Sequence, residues 1–315
     1  MMKIVITGCA GFIGSAFADY ILRKYPTDSV IGIDCMTYAA SENALKSLKC
    51  YEKFTFSKVN ICDKEAIERI FAEHIPDILV NFAAESHVDR SISSSLAFIE
   101  TNVLGTQVLL DASVKYGVKR FHQISTDEVY GDMPIDSAES FTETSPLNPS
   151  SPYSASKAAA DLLALSYMRT HGLPVSVSRS SNNYGIHQHR EKLIPMCISQ
   201  ILSDMPVTLY GDGTNMRDWL YTEDHCRAID LIFRAGECGI YNIGADNEWS
   251  NVDLVRKIAL LLGKPDAKIQ FVEDRKGHDR RYPIDSSKIK TLGWQPKADF
   301  ARALKATVEW YRDRR

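Results

Sequence analysis

No run of this 315-residue chain approaches the ~20 consecutive apolar residues that a membrane-spanning helix needs; the longest candidates, such as 258–262, are closed by lysine and glycine. There is no excess of positive charge. The 37 Lys and Arg against 40 Asp and Glu leave a net charge of −3, which excludes the basic footprint of a nucleic-acid binder. The seven cysteines, at 9, 35, 50, 62, 197, 226 and 238, include no Cys-x-x-Cys pair. They indicate neither a disulfide scaffold nor a metal or redox motif, and free thiols in a reducing compartment are expected. Low-complexity tracts and internal repeats are missing as well. The chain opens Met-Met-Lys-Ile-Val-Ile-Thr-Gly, a strand rather than a leader, so a cytoplasmic location is expected. What remains is ordinary globular usage, 44% apolar and 24% charged, in a length suited to about two domains.

The first half alternates strand-like and helix-like runs. Residues 4–7, 30–34, 54–59, 78–83 and 120–126 are short and rich in β-branched and aromatic residues, with a further strand at 175–179. Helical periods cover 13–24, 64–74, 96–116 and 153–171. Such alternation predicts an α/β fold: a doubly wound parallel sheet covered on both faces. After residue 182 the rhythm loosens into short helical patterns at 194–203, 223–235, 252–262 and 300–311. The expected division is 1–182 for a cofactor-binding domain with the catalytic residues. Residues 183–315 then form a smaller, mixed α/β substrate-binding lobe, with some segments returning to the first domain. The loop 132–151, with three prolines, is long enough to suggest a functional role.

Gly8, Gly11 and Gly14 follow a strand and open a helix. The first permits a tight turn, the second lets backbone approach a pyrophosphate, and the third allows close helix–strand packing. Asp34 ends the next strand 20 residues after Gly14, the offset expected of a carboxylate that binds a ribose 2′-hydroxyl. A carboxylate there repels a 2′-phosphate, and Cys35 and Met36 offer no cation to offset it. The expected cofactor is NAD. Asp63 has two compatible readings, at the adenine rim or as the cap of the 64–74 helix.

Tyr153 and Lys157 lie four apart and share one helix face, where an ammonium favours a phenolate. Spacing alone is poor evidence, because Tyr20 and Lys24 form the same pair on the first helix. Context separates them. Tyr153 starts its helix just after Thr126-Asp127-Glu128, at the carboxyl edge of the fifth strand where open α/β sheets bind ligands. Adjacent carboxylates can be driven apart into an acid and a base, as elimination of water requires; they can also simply cap the turn and face solvent.

These motifs together resemble the extended short-chain dehydrogenase/reductase superfamily, and within it the nucleotide-sugar 4,6-dehydratases. The resemblance runs through Ala83-Ala84-Glu85-Ser86-His87-Val88-Asp89-Arg90, Thr101-Asn102-Val103 and Thr126-Asp127-Glu128-Val129-Tyr130-Gly131. It continues with Tyr153…Lys157, Asn182-Asn183-Tyr184-Gly185 and Glu191-Lys192-Leu193-Ile194-Pro195, and ends with Arg217-Asp218-Trp219 and Gly277-His278-Asp279-Arg280-Arg281-Tyr282. The Asp-Glu pair is the specific part, since sibling epimerases and decarboxylases lack it.

The resemblance implies a Rossmann-type fold, a homodimer joined through the 96–116 and 153–171 helices, and an internal oxidation–reduction. Tyr153 takes the proton of the sugar 4-hydroxyl as hydride leaves carbon 4 for NAD. Glu128 removes the carbon-5 proton, Asp127 protonates the departing 6-hydroxyl, and hydride returns to carbon 6. Lys157 binds the nicotinamide ribose and depresses the Tyr153 pKa, and Thr126 orients the 4-oxygen. The cofactor contacts it implies are Gly8, Gly11, Phe12, Ile13, Gly14, Asp34, Thr37, Asn60, Ile61, Ala83, Ala84, Ser86, Thr101, Tyr153 and Lys157. On the sugar-nucleotide side it implies Ser86, Arg90, Thr126, Asn182, Lys192, Leu193, Thr208, Tyr210, Arg217, Asn251, Arg281 and Tyr282, with Arg217 and Arg281 on the diphosphate.

This chain departs from the pattern at Cys9, at Asn60, in shorter loops before the fifth strand and before Tyr153, and in the run Ile186-His187-Gln188-His189-Arg190. The run leads into the segment expected to approach the nucleotide. The expected substrate is dTDP-glucose; the alternatives are the same chemistry on UDP-glucose or UDP-N-acetylglucosamine, or a sibling epimerase. The spacing of His187 and His189, with no convergent third ligand, does not indicate a metal site.

Overall fold

A computed structural model describes residues 1–314. Strand β1 (Lys3–Thr7) runs through the glycine turn into helix α1 (Phe12–Lys24), followed by β2 (Ser29–Asp34), α2 (Glu42–Leu48), β3 (Phe54–Lys58) and α3 (Lys64–His74). Next come β4 (Ile78–Asn81), α4 (Val88–Ser93), α5 (Leu96–Phe98) and α6 (Thr106–Lys115), then β5 (Arg120–Thr126), α7 (Pro152–His171) and β6 (Val175–Ser180). The remainder holds β7 (Asn182–Tyr184), α8 (Leu193–Leu202), β8 (Val207–Tyr210), β9 (Met216–Tyr221) and α9 (Thr222–Ala235). It closes with β10 (Gly239–Ile243), β11 (Glu248–Ser250), α10 (Asn251–Leu261), β12 (Ile269–Val272), α11 (Ser287–Thr291) and α12 (Phe300–Arg312).

The main sheet has seven parallel strands in the order β10-β6-β5-β4-β1-β2-β3. Order reverses beside β1, which puts the topological switch point, and hence the ligand crevice, at the carboxyl ends of β1 and β4. Both faces are covered, so the central strands are buried; β1, β2 and β4 are mostly apolar, whereas β5 and β6 also carry buried polar side chains such as His122, Gln123, Ser176 and Arg179. On β1, Ile4 and Ile6 pack with Phe17, Ile21, Ile229 and Phe233 of α1 and α9, whereas Val5 points the other way, to Phe71, Leu109 and Ala164 of α3, α6 and α7. The chain therefore returns to the first half beyond residue 182: α9 covers one face and β10 extends the sheet. A separate core in the lobe packs α8, α10 and α12 around Tyr184 and Trp219.

Two local features place site residues. Helix α7 starts at a capping box in which Ser151 and Ser154 exchange hydrogen bonds, with Pro152 in the first turn, so Tyr153 and Lys157 lie at a rigid start. The predicted 96–116 helix is not uniform. Residues 99–105 wind as a π-helix between α5 and α6. That widening turns Asn102 toward the site, where its amide oxygen accepts from the Glu85 N–H at 2.8 Å and its amide nitrogen donates to Ser156 at 2.8 Å.

Candidate active site

Two joined cavities open at the carboxyl ends of the central strands. The first is lined by the glycine turn after β1, by Ala84 and Ser86 after β4, by Thr126–Glu128 after β5, and by Tyr153 and Lys157. The second, about 420 Å³, lies between α4 and the lobe. Glu128, Asn182 and Lys192 line both.

The first cavity fits a dinucleotide. Gly8 has φ +66°, and a Cβ there would lie 2.8 Å from the Ala83 nitrogen; one on Gly14 would lie 2.2 Å from the Gly8 carbonyl oxygen. The turn is therefore as close as backbone allows, and α1 begins with no side chain capping its first N–H groups, a disposition that suits phosphate. Asp34, at the end of β2, is fixed by the Ala10 N–H at 3.0 Å and the Met36 N–H at 2.8 Å. Asn60 accepts from the Cys62 N–H at 2.9 Å, and Asp63 accepts from the Ala66 N–H at 3.0 Å, so Asp63 caps α3. Cys9 is buried, its thiol pKa pushed up by burial, and its sulfur packs against Gly32.

Tyr153 is buried, with its hydroxyl beside Thr126. Burial, with the charges of Glu128 and Asp127 adding to it, pushes its pKa up. The Lys157 ammonium, lowered to about 8 by burial against the pull of Asp161, donates to the Ile124 carbonyl. Beneath the pair lies a buried polar frame. Asp161 accepts from Ser125 at 2.9 Å and from Arg179 Nε at 3.0 Å; Arg179 donates to the Tyr130 hydroxyl, which donates to Asn242 of β10 at 2.7 Å. That frame joins α7 to β5, β6 and β10 and fixes the height of Lys157.

The two adjacent carboxyl groups have unlike surroundings. Asp127 is 1% exposed, and burial, then the charges of Glu128 and Asp218, raises its pKa well above the usual carboxylate range. One of its oxygens accepts from Thr126 at 3.1 Å and the other is buried without a partner. Burial thus favours the protonated form of Asp127, the form an acid needs. Glu128 is half-buried and faces both cavities. Elimination needs such a division, an acid that holds its proton beside a base that solvent and substrate can reach.

Of the expected substrate contacts, Lys192, Leu193, Thr208, Tyr210, Arg217, Asn251, Asn182 and Tyr282 line the second cavity. Arg217 is buried and donates only to backbone carbonyls, those of Met216, Asp279 and Arg280, with its guanidinium 4.4 Å from the Tyr282 ring centre. Its charge stays available to an anion. Arg281 is elsewhere: its guanidinium makes two 2.7 Å bonds to the Glu248 carboxylate and another to the Ser137 carbonyl, outside the cavity lining. Arg90 is likewise paired, with Glu191 at 2.6 Å. Arg275 and His278, which are not among the expected contacts, line the cavity instead. His278 lies within the Gly277–Tyr282 motif, and Arg275 stands two residues before Gly277, whose φ is +64°. Among the cofactor contacts, Gly8, Gly11, Phe12, Ile13, Gly14, Ala84, Ser86, Tyr153 and Lys157 line the first cavity. Asp34, Thr37, Asn60, Ile61, Ala83 and Thr101 are not among its lining residues. No group of three metal-ligating side chains is present among the described residues.

A family model described as GDP-mannose 4,6 dehydratase matches residues 5–307. The chain is 47% identical over 333 residues to a dTDP-glucose 4,6-dehydratase of Haemophilus influenzae, covering 99% of this chain and 98% of that protein. Among solved structures it is similar to a dTDP-glucose 4,6-dehydratase of Streptomyces venezuelae with NAD bound, at TM-score 0.95 and 45% identity over 99% of this chain and 97% of that one. It is also similar to a UDP-glucose 4-epimerase of Thermotoga maritima, at TM-score 0.92 and 31% identity over 99% of each chain.

Proposed function

The chain belongs to the GDP-mannose 4,6-dehydratase family, and we infer from this premise that it is an NAD-dependent hydro-lyase converting dTDP-glucose to the 4-keto-6-deoxy sugar. The observation that carries the reading is end-to-end identity of 47% with a dTDP-glucose 4,6-dehydratase. The acid pair at Asp127 and Glu128 supports dehydration over epimerisation, which has no use for it.

NAD bound against the glycine turn supplies a hydride acceptor for carbon 4 and a donor for carbon 6. The chain's own residues move the protons. Tyr153 takes the proton of the 4-hydroxyl, and the Lys157 ammonium, one helical turn away, favours its phenolate once swung from the Ile124 carbonyl. Thr126 orients the 4-oxygen. The 4-ketone acidifies the carbon-5 proton, which Glu128 removes, while Asp127 gives its proton to the departing 6-hydroxyl. Each proton transfer is worth roughly 10²–10⁴-fold. Residues 1–182 hold the cofactor and these groups; 183–315 mainly hold the nucleotide sugar, with Arg217 at the diphosphate.

A homodimer is part of the reading. Leu96 (64% exposed), Ile99, Leu104 and Val114 of the rod formed by 96–115, with Leu162 (58%) of α7, leave an apolar face in water that a second copy would cover. Free thiols, with no disulfide among the described residues, suit a cytoplasmic enzyme.

The test is mass spectrometry of dTDP-glucose, UDP-glucose and UDP-N-acetylglucosamine, each incubated with the protein and NAD. Loss of one water from dTDP-glucose alone is expected, and unchanged mass on all three would overturn the reading. Glu128→Gln should oxidise the sugar but stall, losing exchange of the carbon-5 proton with deuterated water. Retained exchange would remove Glu128 as the base.

A further inference from the structure

The second cavity contains a charge arrangement that substrate binding must disturb. Asp89, from α4, is the acidic group that reaches from the first half across the cavity mouth to the lobe. One of its oxygens accepts from the Tyr210 hydroxyl at 3.2 Å. The other lies 3.5 Å from Arg275 Nη1, an ion pair with no hydrogen bond, and that oxygen is buried with no partner. Arg275 Nε is also buried without a partner. Both groups line the cavity that holds Arg217. A carboxylate and a guanidinium this close, each with unused hydrogen-bonding capacity, are poorly matched to one another. A diphosphate offers Arg275 better acceptors in fork geometry, and its charge repels Asp89.

We propose that Asp89 is a counter-ion gate: it holds Arg275 and the Tyr210 hydroxyl across the cavity mouth and yields both to the substrate's diphosphate. The gate deepens the functional reading above and rests on it. Before substrate arrives, Asp89 keeps a partly buried guanidinium, its Nε without a partner, from lying without a counter-charge. After turnover it competes the product nucleotide away from Arg275. Asp89 thus sets affinity and release, and it has no part in proton transfer.

The experiment measures thymidine diphosphate binding by calorimetry to the NAD-loaded protein and its variants, with thermal unfolding to verify the fold. Asp89→Asn keeps size and removes charge. It should tighten binding about three- to fivefold, the scale of one partly exposed charge pair. The gain should vanish in the Arg275→Gln background, because the exchange partner is gone. Weaker or unchanged binding in Asp89→Asn would overturn the proposal, since Asp89 would then be a substrate contact or a bystander. A gain that persists with Arg275→Gln would overturn it too, reducing the effect to general repulsion. Wild-type protein that binds thymidine diphosphate but dehydrates none of the sugars would count against the functional reading and leave this test intact.

Discussion

Two Tyr-x-x-x-Lys pairs with identical spacing lie on opposite faces of the main sheet. On α1, Lys24 donates to the Tyr20 hydroxyl at 2.7 Å and to Asp230 at 2.8 Å, while Tyr20 donates to Asp230 at 3.1 Å. On α7, the lysine turns to a backbone carbonyl and the tyrosine faces Thr126 and two carboxyl groups. The tighter Tyr–Lys contact therefore belongs to the pair with no access to the cleft. Mutual contact is not what marks a reactive pair. Asp230 neutralises Lys24 and satisfies Tyr20, so the α1 pair is at rest; the α7 pair is buried at the carboxyl edge of β5, beside an Asp127 oxygen without a partner.

The largest expected effect separates the tyrosines. Tyr153→Phe should abolish turnover, by roughly 10³-fold or more, since it removes the group proposed to take the first proton. Tyr20→Phe should leave kcat within about a factor of two and cost on the order of 1 kcal/mol of stability, one hydrogen bond to a carboxylate. Steady-state rates beside urea unfolding check both. Equal losses of activity in the two variants would dissolve the distinction.

The lysines sharpen it with opposite signs in stability. Burial lowers Lys157 from 10.5 to about 8, so between those values the unfolded chain binds more protons than the folded one, and stability rises with pH across that window. Lys157→Met should lose about 10²-fold or more in kcat. It should also raise Tm by a few degrees at pH 7, because a charge no longer has to be buried. Wild-type kcat should fall above about pH 8 as the ammonium is lost. For Lys24 burial acts downward, but hydrogen bonds to Asp230, Tyr20 and Tyr25 outweigh it and its pKa is raised. Its contribution is fully present below 10.5 and is lost as pH climbs through the raised value. Lys24→Met should therefore lower Tm slightly and leave kcat alone; Lys24 is 48% exposed, and such pairs are worth less than ~1 kcal/mol.

Much of this was legible beforehand where local chemistry has few solutions. Gly8 and Gly14 tolerate no Cβ, Asp63 caps its helix, and short strands rich in β-branched and aromatic residues, alternating with helical periods, specify a parallel sheet. What escaped depends on contacts made late in the chain. Nothing in Ile99–Gly105 marks a π-helix, because that widening answers to Asn102 reaching Glu85 and Ser156. β10 joins the sheet only after about 60 residues, most of them in the lobe, have intervened since β6. Arginines are the hardest case, since a sequence does not reveal which carboxylate lies opposite each one.

The arginines carry the α1–α7 lesson to the substrate side and give the smallest effect. Arg217 donates to three carbonyl oxygens, which position it without neutralising it, so its charge is free for an anion. The Arg281 charge is already met by both oxygens of Glu248. Arg217→Gln should raise KM for dTDP-glucose about tenfold with little change in kcat, the loss of one charge-assisted hydrogen bond to phosphate. Arg281→Gln should change KM by less than about twofold. It should instead loosen the 132–151 loop, because Arg281 also holds the Ser137 carbonyl, and hydrogen exchange there reports it. A tenfold KM effect from Arg281→Gln with exchange unchanged would mean that the Glu248 pair opens to release Arg281 to the substrate. An arginine at rest would then be able to act, and satisfaction of its partners would no longer separate working residues from structural ones.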